Sequence, residues 1–389
     1  QKLRILSISD LSSTGGAAIA GNRISDALRR NGAEVIQLSA DGRNTKEQRG
    51  LFNGKKFSAL HNLFSPLVST SKAKSLRDKN LNHQFRQFLQ KERFDAINIH
   101  NLHSAGWPIS LVSSALEFAP VVWTLHDCWS FLGSSYPTHC PTPNSYHELE
   151  LKSFWRSIKS RPTKNILTAV TPSNWMNDTA SSSHWKDYEV HTTRNPVPKS
   201  FFEPLDRESC KKTLGLSLEK PTVLCIAGNL SEERKGGPIL NEILKSDTKE
   251  HCQFILIGEG NDFNDPKIKS LGFVKDELTL RIAYHAADVL LHPAQIDNLP
   301  NTVGESTSCG TPVLAFETGG LPEMVIPQKS GWLVEGMNAG SMVKELKSVL
   351  QSKLANDLRQ LTLETAQILF NEEKVADDYI KVFNHLPSQ

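Results

Sequence analysis

Two carboxylates eight positions apart, Asp297 and Glu305 of DNLPNTVGE, stand between the apolar run DVLLHPA and the small-residue turn CGTPVLAF. Pro300 precedes the helix-forming run TVGESTSCG, so Glu305 falls in the first turns of a helix while Asp297 stays in the loop before it. Backbone N–H groups of Leu299, Asn301 and Thr302 lie at that helix start, where no intrahelical acceptor serves them and an anion is attracted. A carboxylate is well matched to paired hydroxyls. One acid can therefore grip a sugar and the other a ribose, with phosphate held between them.

Other residues fit the same chemistry. TVLCIAGNLSEERKGGPIL ends a strand with the adjacent cations Arg234 and Lys235, then Gly236, Gly237 and a helix. A planar fork of donors beside a mobile point charge suits the two phosphates of a nucleoside diphosphate; the alternative is a charged surface turn. His126 and Asp127 end the strand VVWTLHD, where the histidine either bonds a substrate hydroxyl or serves its own loop. Gly15 and Gly16 of SDLSSTGGAAIAGNRISDAL let a backbone approach phosphate or a sugar hydroxyl, or simply make a tight turn into a helix. That loop lacks the GxGxxG spacing of a dinucleotide fold, which argues against an NAD enzyme. Cys128, His139, Cys140 and His147 raise zinc, but their spacing fits no standard ligand pattern, and no DxD triplet occurs. No metal is expected.

These residues need strands to carry them. LRILSIS, EVIQLSA, AINIHNL, VVWTLHD and ILTAVTPS form a first series, and TVLCIAG, QFILIGEG, KSLGFV, DVLLHPA, TPVLAF and GWLVEG a second. Near-continuous apolar strands alternating with helices imply parallel sheets covered on both faces, hence two doubly wound α/β domains. Pro196, Pro198 and Pro204 break regular structure at the join, which divides the chain into 1–197 and 198–370; a C-terminal helix at about 371–389 could pack back on the first domain. Ligands in such sheets bind beyond the carboxyl ends of the strands, so two facing sheets would enclose a crevice.

Composition narrows the partners. A net charge of +2 over 389 residues gives no case for nucleic acid. No apolar run reaches the roughly 18 residues of a membrane span, and QKLRILSISD lacks the apolar core of a signal peptide, which points to the cytosol. Six scattered cysteines without a CxxC pair are expected as packing residues of a reduced compartment. Lys46 to Arg93 carries eleven Lys and Arg against three acids, with Phe52, Phe57, Leu60, Leu63, Phe64 and Leu67 interleaved. This segment would either lay a basic amphipathic helix on an anionic membrane or present a solvated face.

Taken together, GGAA, TLHDCW, TPSNW, RNPV, ERKGG, LGFV, DNLPNTVGE, SCGTPVLAF and GGLPEMV resemble the retaining glycosyltransferases of family 4. The resemblance runs from about Leu3 to Val334 and implies the GT-B fold of two facing Rossmann-like domains. TLHDCWSF with DNLPNTVGE is most similar to transferases that build bacterial exopolysaccharide of the colanic acid type. By this resemblance the family's Glu-x7-Glu motif falls on Asp297 and Glu305, with aspartate replacing the first glutamate. Asp297 then holds the donor sugar, Glu305 binds the ribose, Arg234 and Lys235 hold the diphosphate, and His126 lies beside the donor sugar. Gly15 and Gly16 touch phosphate and acceptor, and Val274 and Asn298 complete the nucleotide-binding set. Many members carry an arginine where this chain has Asn229, and the cysteine-rich loop of related members is reduced to Cys128 and Cys140.

The reading is a metal-independent transferase moving a hexose, with retention, from a UDP- or GDP-linked sugar to a saccharide or lipid-linked acceptor, with no further cofactor. A nucleotide-sugar epimerase on the same architecture and a two-domain binding protein that closes on a small ligand are the rivals.

Overall fold

The computed structural model describes residues 2–13, 15–42, 45, 47–50, 70–137, 145–160, 167–260, 265–352 and 357–386, without the side chains of 70–73 and 145–147. His139, Cys140 and the interleaved apolar residues of the basic segment lie outside them, as does the side chain of His147. The chain forms two compact units, residues 1–193 with 373–389, and residues 194–372. The division falls before the expected 197–198. Val197 N donates to Phe370 O at 3.1 Å and Arg194 pairs with Glu323 at 3.6 Å, which ties the whole RNPV stretch to the second unit.

Unit 1 carries β1 (Arg4–Ser9), β2 (Glu34–Ser39), β3 (Gln48–Gly50), β4 (Ala96–Asn101), β5 (Val121–Thr124), β6 (Leu167–Thr171) and β7 (Val190–Thr192), ordered β3-β2-β1-β4-β5-β6-β7. Unit 2 carries β8 (Thr222–Asn229), β9 (Gln253–Glu259), β10 (Ile268–Ser270), β11 (Val289–His292), β12 (Val313–Phe316) and β13 (Gly331–Val334), ordered β10-β9-β8-β11-β12-β13. Every pairing is parallel. VVWT, VLLH and VLAF are buried along their full length, as strands covered on both faces must be. Each sheet reverses its winding once, between β1 and β4 and between β8 and β11. At such a point neighbouring loops run to opposite sides and leave room for a ligand.

The sequence pattern fails at the sheet margins. KSLGFV reads as one strand, but the regular strand ends at Ser270; Leu271 N still donates to Leu256 O at 2.9 Å and Gly258 N to Gly272 O at 2.8 Å before the chain leaves the sheet. Edge strands β3 and β7, sequences QRG and VHT, carry too little apolar character to be read as strands.

The helix Thr70–Lys91 turns Leu81, Phe85 and Leu89, spaced four apart, into the first core. Among the described residues no helix is long and apolar enough to cross a membrane. Cys128, Cys210, Cys225, Cys252 and Cys309 are buried free thiols.

The C-terminal helix Glu372–His385 belongs to unit 1 from Glu373 onward, and its Val375, Tyr379, Val382 and Phe383 join Ile5, Ile24, Leu28 and Val122 in one apolar cluster. The Tyr379 hydroxyl lies 3.0 Å from Thr124 Oγ1, which also accepts Asn98 Nδ2 at 3.1 Å. Tyr379→Ala should cost roughly 3 kcal/mol in urea unfolding of the intact chain, and Tyr379→Phe only about 1 kcal/mol because Asn98 still serves Thr124. Equal losses for the two variants would show that ring packing contributes nothing.

Candidate active site

In unit 2 the loops after β8, β11 and β12 interlock. Gln295 N donates to Arg234 O at 2.9 Å, and Gly320 N donates to Asp297 O at 2.9 Å. The approach is so close that a Cβ at Gly236 (φ 79°) would collide with the Pro293 carbonyl, and one at Gly319 (φ 56°) with that of Asp297. Gly236 and Gly319 thus fix where Arg234, Lys235 and Asp297 stand.

Those three side chains meet at the β8–β11 reversal. Asp297 is buried, at 5% exposure. Its Oδ2 lies 2.5 Å from Lys235 Nζ and 3.5 Å from His292 Nε2, while its Oδ1 accepts Asn298 N at 3.1 Å and lies 3.9 Å from Arg234 Nη1. Burial alone would raise the Asp297 pKa. The charge of Lys235, the His292 contact and Arg234 outweigh it and hold the carboxyl well below the usual range. Arg234 is itself fixed by Ile296 O at 3.3 Å and Glu232 at 2.9 Å.

Pro300 caps the helix Asn301–Ser308, whose first turn presents Asn301 and Thr302 beside buried Asn298 and Leu299. Glu305 lies within this helix, buried, and its Oε2 accepts the Tyr284 hydroxyl at 2.8 Å. Val274 sits in the loop that precedes the helix Glu277–Ala286. The Asn229 side-chain oxygen accepts Ser231 N at 2.9 Å and so makes a turn at the end of β8.

Unit 1 gathers a second group at its own strand ends. His126 Nε2 lies 3.1 Å from His100 Nδ1 and the rings stack at 5.4 Å; a Cβ on Gly21 would stand only 2.9 Å from His100 Cγ. Burial lowers His126 to about 4 despite the pull of Asp127, and burial followed by the His126 charge lowers His100 well below the ordinary value. Both imidazoles are neutral at pH 7. His103 differs: burial opposes its charge, but Asp127 at 3.2 Å and Asp10 raise its pKa. Gly15 precedes, and Gly16 begins, the helix Gly16–Arg30 that follows β1.

Asp10, His100, His103, Tyr284 and His292 escaped the sequence reading. The signal for three of them was present, since Asp10, His100 and His292 each stand at the carboxyl end of an apolar strand, as His126 does.

Cations, buried carboxylates and a helix start are thus collected near one sheet reversal, an arrangement chemically suited to an anion. Residues 14–200 match the family model for Glycosyltransferase Family 4, and residues 220–352 that for Glycosyl transferases group 1. The chain is 22% identical over 337 residues to an Escherichia coli (strain K12) protein named as colanic acid biosynthesis glycosyl transferase WcaC, covering 79% of this chain and 80% of that one. Its fold is similar to sucrose-phosphate synthase from Thermosynechococcus elongatus (TM-score 0.76, 18% identity, 99% of each chain). It is also similar to Anabaena HepE solved with UDP and glucose (TM-score 0.68, 15% identity, 99% and 100% of the two chains). The chain belongs to glycosyltransferase family 4 and has the GT-B fold.

The histidine pair gives a pH dependence. An unfolded histidine titrates near pH 6.5, so between about 6.5 and 4 the unfolded chain binds protons that buried His100 and His126 refuse. Stability should therefore fall as pH is lowered through that window, by up to about 1.4 kcal/mol per pH unit per histidine. Thermal melts of the wild type and of His100→Asn from pH 7.5 to 4.5 check this; a slope unchanged by the substitution removes His100 as a source.

Proposed function

We propose that this chain transfers a hexose from a UDP- or GDP-linked sugar to a saccharide or lipid-linked saccharide acceptor, with retention of anomeric configuration and without a divalent metal. The supporting observation is the Arg234–Lys235 pair seated against buried Asp297 at the β8–β11 reversal, close in sequence to the Glu305 helix. In the proposed step the bond from the anomeric carbon to the diphosphate oxygen breaks. The acceptor oxygen bonds to that carbon on the same face, and its proton passes to the departing diphosphate. Arg234, Lys235 and the N–H groups at Asn301 and Thr302 stabilise the leaving charge, a role that otherwise falls to a metal ion. Asp297 holds sugar hydroxyls as the anomeric carbon becomes cationic, and Glu305 holds the ribose. The name of the Escherichia coli relative and the UDP and glucose in Anabaena HepE favour a polysaccharide product and a uridine donor.

Free UDP or GDP should appear only when an acceptor is added, and its release should survive EDTA. Release without acceptor, or an epimerised donor with no release, points to the rivals; loss on chelation with recovery on Mg or Mn removes the cation clamp. Glu305→Ala should weaken nucleotide binding by roughly 1 to 3 kcal/mol in calorimetry.

A lipid-linked acceptor would bring the protein to the cytoplasmic face of a membrane. The helix Thr70–Lys91 supports this, with exposed Leu76 (65%) about one turn from exposed Lys79, and Lys91 exposed at its C-terminal end. Replacing Lys79, Lys91 and Arg93 with glutamine should release the protein from anionic vesicles. Unchanged partitioning assigns these residues to a solvated face.

A further inference from the structure

Lys235 has one proposed job and another present partner. A diphosphate needs its ammonium, yet that ammonium lies 2.5 Å from Asp297 Oδ2. Arg234 likewise shares its guanidinium between Glu232 and Asp297. An incoming diphosphate therefore competes with protein carboxylates for both cations, and Asp297 is the buried one. When Lys235 turns to phosphate, a carboxylate that stayed behind without a partner would carry the cost of an uncompensated buried charge.

The residue placed to meet that cost is His292. It ends β11, is buried at 4% exposure, and brings Nε2 to 3.5 Å from the same Oδ2 that Lys235 occupies. That distance is at the outer limit of hydrogen bonding, and among the described residues the buried Nε2 has no other hydrogen-bond partner. Asp297 Oδ1 is meanwhile tied to Asn298 N at 3.1 Å, so the carboxylate can pivot its Oδ2 without leaving the loop. Burial lowers the affinity of His292 for a proton, Asp297 opposes this, and the charges of Lys235 and Arg234 add to the lowering.

We propose that His292 is a positioning residue that takes over Asp297 when a diphosphate draws Lys235 away, so that arrival of the nucleotide itself releases the sugar-holding carboxylate. This rests on the donor-binding reading above. Asp297 is then an internal anion that lowers nucleotide affinity in the empty protein, and His292 offsets part of that competition. The exchange moves no covalent bond: Lys235 passes from carboxylate to phosphate, and the carboxylate passes from ammonium to imidazole N–H.

Calorimetry with UDP, GDP, ADP and inorganic pyrophosphate tests it on the full chain and four variants. Asp297→Asn, which removes the internal anion, should bind the diphosphates about tenfold more tightly than wild type. His292→Leu should bind them about tenfold more weakly, and His292→Gln, whose amide nitrogen can stand where Nε2 stands, should restore most of the loss. In the Asp297→Asn background, His292→Leu should have no effect, a result that general damage to the fold cannot produce. Unchanged or weaker binding by Asp297→Asn overturns the exchange, as does an equal loss from His292→Leu in both backgrounds. Pyrophosphate binding tightened by Asp297→Asn, with no nucleotide bound by any form, upholds the exchange and defeats the nucleotide reading. No binding of any probe defeats both.

Discussion

A carboxylate buried in a protein costs several kcal/mol unless positive charge and hydrogen bonds surround it. Asp297 is such a group, and the upper edge of unit 2 is arranged around it. Lys235 and Arg234 arrive from the loop after β8, His292 from the end of β11, and the backbone of the loop itself supplies Asn298 N. None of these can drift. Gly236 lies against Pro293, Gly319 lies against Asp297, and Gln295 N bonds Arg234 O, so displacement of one loop disturbs all three. The buried charge and the tight glycine contacts are one construction, because only closely packed loops keep water away from the cations while holding them within reach of an anion.

Unit 1 meets the same geometry with the opposite electrostatic answer. Its strand ends also converge on polar side chains at the reversal between β1 and β4, and at neighbouring β5. There His100 and His126 are kept neutral by burial rather than charged by pairing. Neutral imidazoles share one hydrogen bond between them, and the ring nitrogens not engaged in it remain chemically versatile. His103, two residues beyond β4, is pushed the other way: burial opposes its charge, but Asp127 and Asp10 outweigh burial and raise its pKa. A neutral pair beside a histidine that faces carboxylates separates hydrogen bonding from ion pairing on one sheet edge.

Much of this was legible in the chain. Parallel strands buried on both faces leave unbroken apolar strings, so VVWT, VLLH and VLAF announced themselves, and RKGG and DNLPNTVGE were located by following them. Contacts across long sequence separation were not legible. Lys235 and Asp297 are brought together by the pairing of β8 with β11, and no local pattern records that pairing. Tyr284 and His292 were hidden for another reason: within apolar runs an isolated Tyr or His reads as filler, and only the position of its polar tip reveals a partner. Short edge strands such as QRG escape because half their hydrogen bonds face outward and demand little of the sequence.

The aspartate at position 297 follows from the same constraint. Its short side chain keeps Oδ1 over its own loop, where Asn298 N reaches it, and leaves Oδ2 alone to face Lys235 and His292. The two oxygens therefore have separate duties, one anchoring and one exchangeable. A glutamate, one methylene longer, would carry both oxygens away from the adjacent N–H and give up the anchor while gaining reach. Compared with such a glutamate, the aspartate present here has less reach and a tethered carboxylate. That tether is what lets a single oxygen change partners without the loop having to move.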